Sequence, residues 1–227
     1  MAVTRVFRSS AASASDLTTY NEAAFQGLAI GPESATRKVV AVFTARGATA
    51  TTTLASCTIG GVAATCTTLY GAANSQISIA VADVPTGTTA DVFPTFSHAM
   101  SRCAVAVYSM EGAASDTPSP TGNDATDPFT YSLTCKAGSV VFGGATDANT
   151  TSFTSTNLTE DVDSAAANYD SQTYSMASAE FATAQSGLTL TMDVASSAAG
   201  AGAFAVFQPS TSLPLFRRPN RFFRRSF

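Results

Sequence analysis

Residues 76–83, QISIAVAD, place Ile77, Ile79 and Val81 on one side of an extended chain and small or polar residues on the other. Strict period-two alternation of this kind cannot line one face of a helix, whose period is 3.6. The pattern recurs. Residues 103–110, CAVAVYSM, alternate again, and residues 37–46, RKVVAVFTAR, form a β-branched and aromatic run of the buried-strand type. Residues 57–66 read as strand, Gly60-Gly61 turn, strand. Residues 84–87, Val-Pro-Thr-Gly, end one strand with a proline that sets φ and a glycine that permits reversal. Residues 90–96 give the next strand, where Pro94 predicts an edge position or a bulge.

The second part of the chain is less regular. Residues 111–127 carry Gly112, Pro118, Pro120 and Gly122 and read as a surface loop. Residues 129–135 and 138–143 read as a strand pair around the turn at 136–138. Residues 144–168 are rich in Thr, Asn, Asp and Ser and predict a long excursion with at most one short strand. Residues 169–181, 188–194 and 203–207 complete the set. The total is nine to eleven strands at short spacing, which favours a sandwich over a propeller or βαβ layers. No internal repeat is strong enough to imply tandem domains.

Charge is scarce and unevenly placed. Charged residues make up 12% of the 227, against about 25% in an ordinary soluble domain. A surface of small hydroxylated side chains offers little repulsion between copies, as a subunit of an assembly requires. Five of the twelve basic residues lie from Arg217 onward with no acid among them. The other seven face sixteen acidic residues, so the body sums to −9 and the tail to +5. No apolar run reaches the length of an export signal or a membrane span, which predicts synthesis and assembly in a cytoplasm.

Chemistry-bearing constellations are few. His98 is the sole histidine, and its turn-like context predicts a structural residue rather than the base of a nucleophilic triad. The acids Glu160, Asp161 and Asp163 read first as a solvated turn. The other reading is a Ca²⁺ site completed by backbone carbonyls, without EF-hand spacing. The four cysteines contain no CxxC pair, and no other metal or cofactor is predicted. Cys103 reads as a buried thiol, while Cys57 and Cys66, diagonal across the expected hairpin, leave a disulfide open. No enzymatic activity is predicted.

The segment 212–227, SLPLFRRPNRFFRRSF, is the sharpest feature. Pro214 and Pro219 favour an extended path over a helix. Phe216, Phe222, Phe223 and Phe227 need pockets, and Arg217, Arg218, Arg221, Arg224 and Arg225 need carboxylates, phosphates or aromatic faces. The expectation is a docking arm, residues 210–227, that reaches a neighbouring subunit whose body is itself acidic. Nucleic acid ranks lower as a partner, because the acidic body would be repelled.

The order of these segments resembles a jelly-roll family of tailed-bacteriophage and prophage structural proteins. The resemblance is carried by residues 27–31 leading into 37–46, the hairpin at 58–65, the corner at 84–97, the strand at 102–112 and the closing strand at 201–209. It implies an antiparallel jelly-roll-like β-sandwich over residues 15–209, preceded by an N-terminal arm at 1–14. It also implies a virion structural role as a decoration, fibre, collar or tail-associated subunit, in contact with other virion proteins and with its own copies. The resemblance supplies no catalytic residues. The alternative is a carbohydrate-binding or adhesin module that touches host glycans through exposed Tyr70, Tyr169 and Tyr174.

Overall fold

The computed structural model describes residues 1–47, 51–72, 74–148, 151–165, 172–195, 197 and 199–210. Among the described residues the chain is all-β, with nineteen strands, a single 3-10 turn at Ala23–Phe25 and antiparallel pairing throughout.

The first half contains β1 (Thr4–Ser13), β2 (Leu17–Thr19), β3 (Leu28–Ala29), β4 (Lys38–Arg46), β5 (Leu54–Ile59), β6 (Val62–Ala63), β7 (Thr65–Ala72), β8 (Ser75–Asp83), β9 (Thr89–Ala90), β10 (Val92–Met100) and β11 (Arg102–Glu111). These make a five-stranded sheet, β1-β11-β4-β8-β7, and a second sheet, β2-β10-β5-β6, with β3 and β9 as a small separate pair. The second half contains β12 (Thr121–Asp124), β13 (Phe129–Cys135), β14 (Ser139–Asp147), β15 (Phe153–Thr156), β16 (Thr159–Ala165), β17 (Thr173–Phe181), β18 (Gln185–Val194) and β19 (Gly200–Phe207). Its sheets are β12-β19-β14-β17-β16 and β13-β18-β15.

The two halves repeat each other. With the short β3, β6 and β9 set aside, eight strands remain in the first half and eight in the second. Numbered one to eight within its own half, each set gives one sheet in the order 1-8-3-6-5 and another containing 2-7-4. The fifth strand of each half carries a bulge at its pairing with the sixth, at Thr68/Tyr70 in β7 and at Glu160/Val162 in β16. The repeat lies in strand order, and no sequence motif announces it.

Four sheets are therefore stacked, with three apolar cores between them. Val39, Ala41, Phe43, Cys103, Val105 and Val107 face β5 and β10 in the first core. The alternate side chains of the same strands, Val40, Val42, Ala104, Ala106 and Tyr108, face Val140, Phe142, Met176 and Ala203 of the second half in a central core. Val141, Phe204 and Val206 point the other way, against Phe129, Leu190 and Met192. This explains the unbroken burial of β4, β8, β11, β14 and β19. Both parities of each strand meet a core, a condition more usual in parallel sheets covered by helices.

Several expectations need correction. Residues 1–14 are not a free arm: β1 pairs with β11 from Thr4↔Glu111 to Ser13↔Cys103. The loop at 111–127 contains β12, which pairs with β19. β13 and β14 are adjacent in sequence but belong to different sheets, so the turn at 136–138 joins two layers rather than a hairpin. The excursion at 144–168 contains the end of β14, all of β15 and all of β16. Pro94 lies in β10, between β2 and β5, and the register of β10 against β5 breaks at Thr95/Phe96 beside it, the bulge of the two options.

Candidate functional site

The residues that hold the chain at Ser210, the last described residue, come from both halves. After β19, Ala114 N–H donates to Gln208 O at 3.0 Å, and Ser210 N–H donates to Gly112 O at 3.1 Å. The Gln208 side chain accepts from Lys136 N–H at 3.0 Å and from Ser139 Oγ at 2.9 Å. Gly112 has φ +81°, and a Cβ there would lie 2.4 Å from Ala2 O, so only glycine lets the first strand pass this close. Ser210 is thus held at a defined place.

Three clefts lie along the start of β1, and Ser210 lines one of them. The largest, about 470 Å³, is lined by Met1, Lys38, Asp83, Glu111, Ala113 and Ser210. A second, about 120 Å³, shares Glu111 and adds Val6, Arg8 and Pro32. A third, about 250 Å³, shares Thr4 with the second and adds Val3, Gly138, Glu180 and Phe181. Met1 and Val6 are two of the three large apolar side chains exposed among the described residues, at 86% and 46%. Exposed apolar side chains therefore gather at these clefts.

The rim is acidic. Lys38 Nζ lies 2.6 Å from Asp83 Oδ1 and 2.7 Å from Asp116 Oδ1. Burial works against its charge, but the hydrogen bonds to Asp116 and Asp83 outweigh it and hold the ammonium above its usual range. Lys38 thus faces two aspartates beside Glu111, while Arg8 and Arg37 line the second cleft and Glu180 the third. The rest of the body does not compensate: Arg37, Arg46 and Arg102 are buried. Arg5 is within 3.9 Å of Asp161. Arg8 is half-buried and donates to Ser109 Oγ at 2.9 Å. Of the seven basic side chains before the tail, Lys136 alone is exposed.

The residues singled out from sequence fall as follows. Every docking-arm residue, Phe216 to Phe227, lies outside the described residues. Cys57, Cys66, Cys103 and Cys135 are free thiols. Cys57 and Cys66 turn toward the same core, and burial pushes both thiols up. They sit in different sheets, because the strand after Gly60-Gly61 leaves its hairpin at Thr65 to pair with β8. His98 is an exposed residue within β10, and its Nδ1 is 3.2 Å from Ser97 Oγ. Tyr174 is buried between the halves, and Tyr70 is half-buried against the same core. Tyr169 lies outside the described residues.

Glu160, Asp161 and Asp163 do not converge. The bulge in β16 turns Asp161 inward, where Tyr108 Oη donates to its carboxylate at 3.0 Å and Ser178 Oγ donates as well. Burial raises its pKa, opposed by Ser178, Arg5 and Tyr108. Glu160 and Asp163 point to the other face, toward Ser155 Oγ at 3.4 Å and Phe153 N–H at 3.2 Å. Among the described residues no group of three His, Cys, Asp or Glu side chains is placed to hold a metal ion.

Sequence reasoning missed two polar sites. One is the Arg5–Asp161–Tyr108–Ser178 cluster, which ties β1 and β11 to β16 and β17 across the central core. The other is Arg37, buried with its guanidinium among five backbone carbonyls. The signal available for both was the rarity of charge: in a chain so poor in it, a charged residue inside an apolar pattern is placed for a reason. The chain matches no protein-family model, and no curated protein matches it.

Proposed function

We propose that this protein is a structural subunit of an assembled particle, a virion structural protein of a tailed bacteriophage, fastened to its neighbours by the cationic, phenylalanine-bearing segment 210–227. The observation that carries this reading is the charge division. A body of −9 whose own cations are almost all buried or paired releases a +5 tail from a place flanked by carboxylates and exposed apolar side chains. Such a tail has more to gain from a second acidic body than from solvent, and opposite potentials also steer the encounter.

The strand order adds support. Orders 1-8-3-6 and 2-7-4 are those of a jelly roll, with the fifth strand moved to the sixth. In the first half, β6 still pairs with β5 before the chain crosses to β8 as β7, which completes the usual second sheet for two residues. We read the molecule as two jelly rolls in tandem, back to back.

The test is deletion of residues 213–227. The truncated protein is expected to keep its far-UV circular dichroism and to be missing from purified particles on electron microscopy and gel analysis. Normal incorporation of the truncated chain would refute the docking role.

A further inference from the structure

The charge division leaves open where the arm lands. We infer that the landing surface is the line of clefts around β1 on a second copy of this chain, and that two copies exchange arms reciprocally. This rests on the docking role proposed above and names the surface that receives the arm.

Three observations converge on it. The clefts at Met1/Glu111, Val6/Pro32 and Val3/Phe181 are contiguous, through Glu111 between the first pair and Thr4 between the second. Separate recesses that each offer an apolar side chain, Met1, Val6 with Pro32, and Val3 with Phe181, suit a segment whose phenylalanines recur at 216, 222, 223 and 227. Asp83, Glu111 and Glu180 edge the recesses, while Lys38 is engaged by two aspartates, Arg8 by Ser109 and Arg37 by backbone carbonyls, so arginines between the phenylalanines meet carboxylates at the rim. Finally, Ser210 itself lines the largest cleft, so the surface and the arm's origin sit together.

A second copy carries the same acidic body of −9 and the same clefts, and the chain after Ser210 is long enough to reach it. Arg217 is the seventh residue after Ser210, and Pro214 and Pro219 favour an extended course of about 3.1 Å per residue. Seven such steps reach at most about 22 Å, enough to bring the arginines onto a second copy placed alongside. When two copies place their exits side by side, each arm runs over the other's clefts. The contact is then isologous and closes on itself.

The experiment uses full-length chains in sedimentation equilibrium at low salt. Wild type is expected to self-associate. E111K/E180K, which reverses the rim, and R217E/R218E/R221E, which reverses the arm, are each expected to weaken association at least about tenfold with unchanged far-UV circular dichroism. An equimolar mixture of the two variants is expected to associate again, because each arm then meets a rim of opposite sign. If the mixture stays apart, or wild type sediments as a monomer, exchange between copies is overturned. Should particle incorporation require residues 213–227 yet tolerate E111K/E180K, the arm docks elsewhere: the functional reading survives and this surface falls.

Discussion

Arg37 is 2% exposed and has no carboxylate partner among the described residues, yet its guanidinium is saturated. Nε donates to Val84 O at 2.7 Å, one terminal nitrogen to Gly31 O and Pro32 O at 2.7 Å each, and the other to Thr86 O and Gly87 O at 2.8 and 2.9 Å. The five donors of the planar fork are matched to five backbone carbonyls of two loops that would otherwise end unpaired near the core. Burying a cation without an anion is costly, and only donors in this number and geometry offset it. Lysine has three donors on a point charge and cannot span both loops. Arg37→Lys is therefore expected to destabilise the protein by about 3–6 kcal/mol, two lost bonds at about 1.5–3 kcal/mol each. A shift of the urea midpoint at unchanged slope would report it; a loss below about 1 kcal/mol would show that water replaces the missing donors.

At the scale of the element, glycines in β14 and β19 set how closely sheets approach. A Cβ on Gly202 would lie 2.5 Å from the Phe129 Cβ, which sits on β13 in the facing sheet. On Gly144 the nearest atoms are side-chain methyls, Ile77 Cγ2 at 3.1 Å and Thr44 and Val42 at 3.4 Å. The first contact is with an atom fixed to the backbone and the second with groups that turn. Gly202→Ala should thus cost more than Gly144→Ala, with about 1–3 kcal/mol for the former as overpacking; equal urea midpoints for the two variants would contradict this ordering. These elements also mark what the sequence discloses. Strands buried on both faces, such as β4, β8 and β11, were legible as continuous or alternating apolar runs. β12, β15 and β16 were not, because they lie at sheet edges, contribute few apolar residues (Phe153 and Val162 among them) and bury little else. The clefts were illegible for a different reason. They are assembled from Met1, Lys38, Asp83, Glu111 and Ser210, and only the strand order brings these together.

For the whole molecule, the duplicated strand order raises the question of whether the halves are independent. Two domains joined by a chain usually meet over a modest, fairly polar interface and can fold apart. Here the five-stranded sheets meet through Val40, Val42, Ile77, Ile79 and Tyr108 on one side and Val140, Phe142, Tyr174, Met176 and Phe207 on the other, all 5% exposed or less. At about 1.5–3 kcal/mol for each large apolar side chain, the five residues of the second half alone represent about 8–15 kcal/mol of burial. That equals the net stability of a typical domain, about 5–15 kcal/mol. Neither half can give up this contact and remain folded with margin, and an isolated half would present its central sheet as a flat apolar face prone to association. The Arg5–Asp161 contact and the bond from Asn123 Nδ2 to Leu69 O at 3.1 Å close the seam at the sheet edges, joining β1 to β16 and β12 to β7. Because each edge pair joins the first strand of one half to the fifth of the other, the seam has the character of a two-fold contact between equivalent units. The intact chain is therefore expected to unfold in one transition, coincident by far-UV circular dichroism and tyrosine fluorescence. Fragments 1–115 and 116–227 should be insoluble or unfolded when made separately and should copurify one to one when made together. Two resolved transitions, or either fragment folding alone as a stable monomer, would show that the central core joins two finished domains rather than completing one.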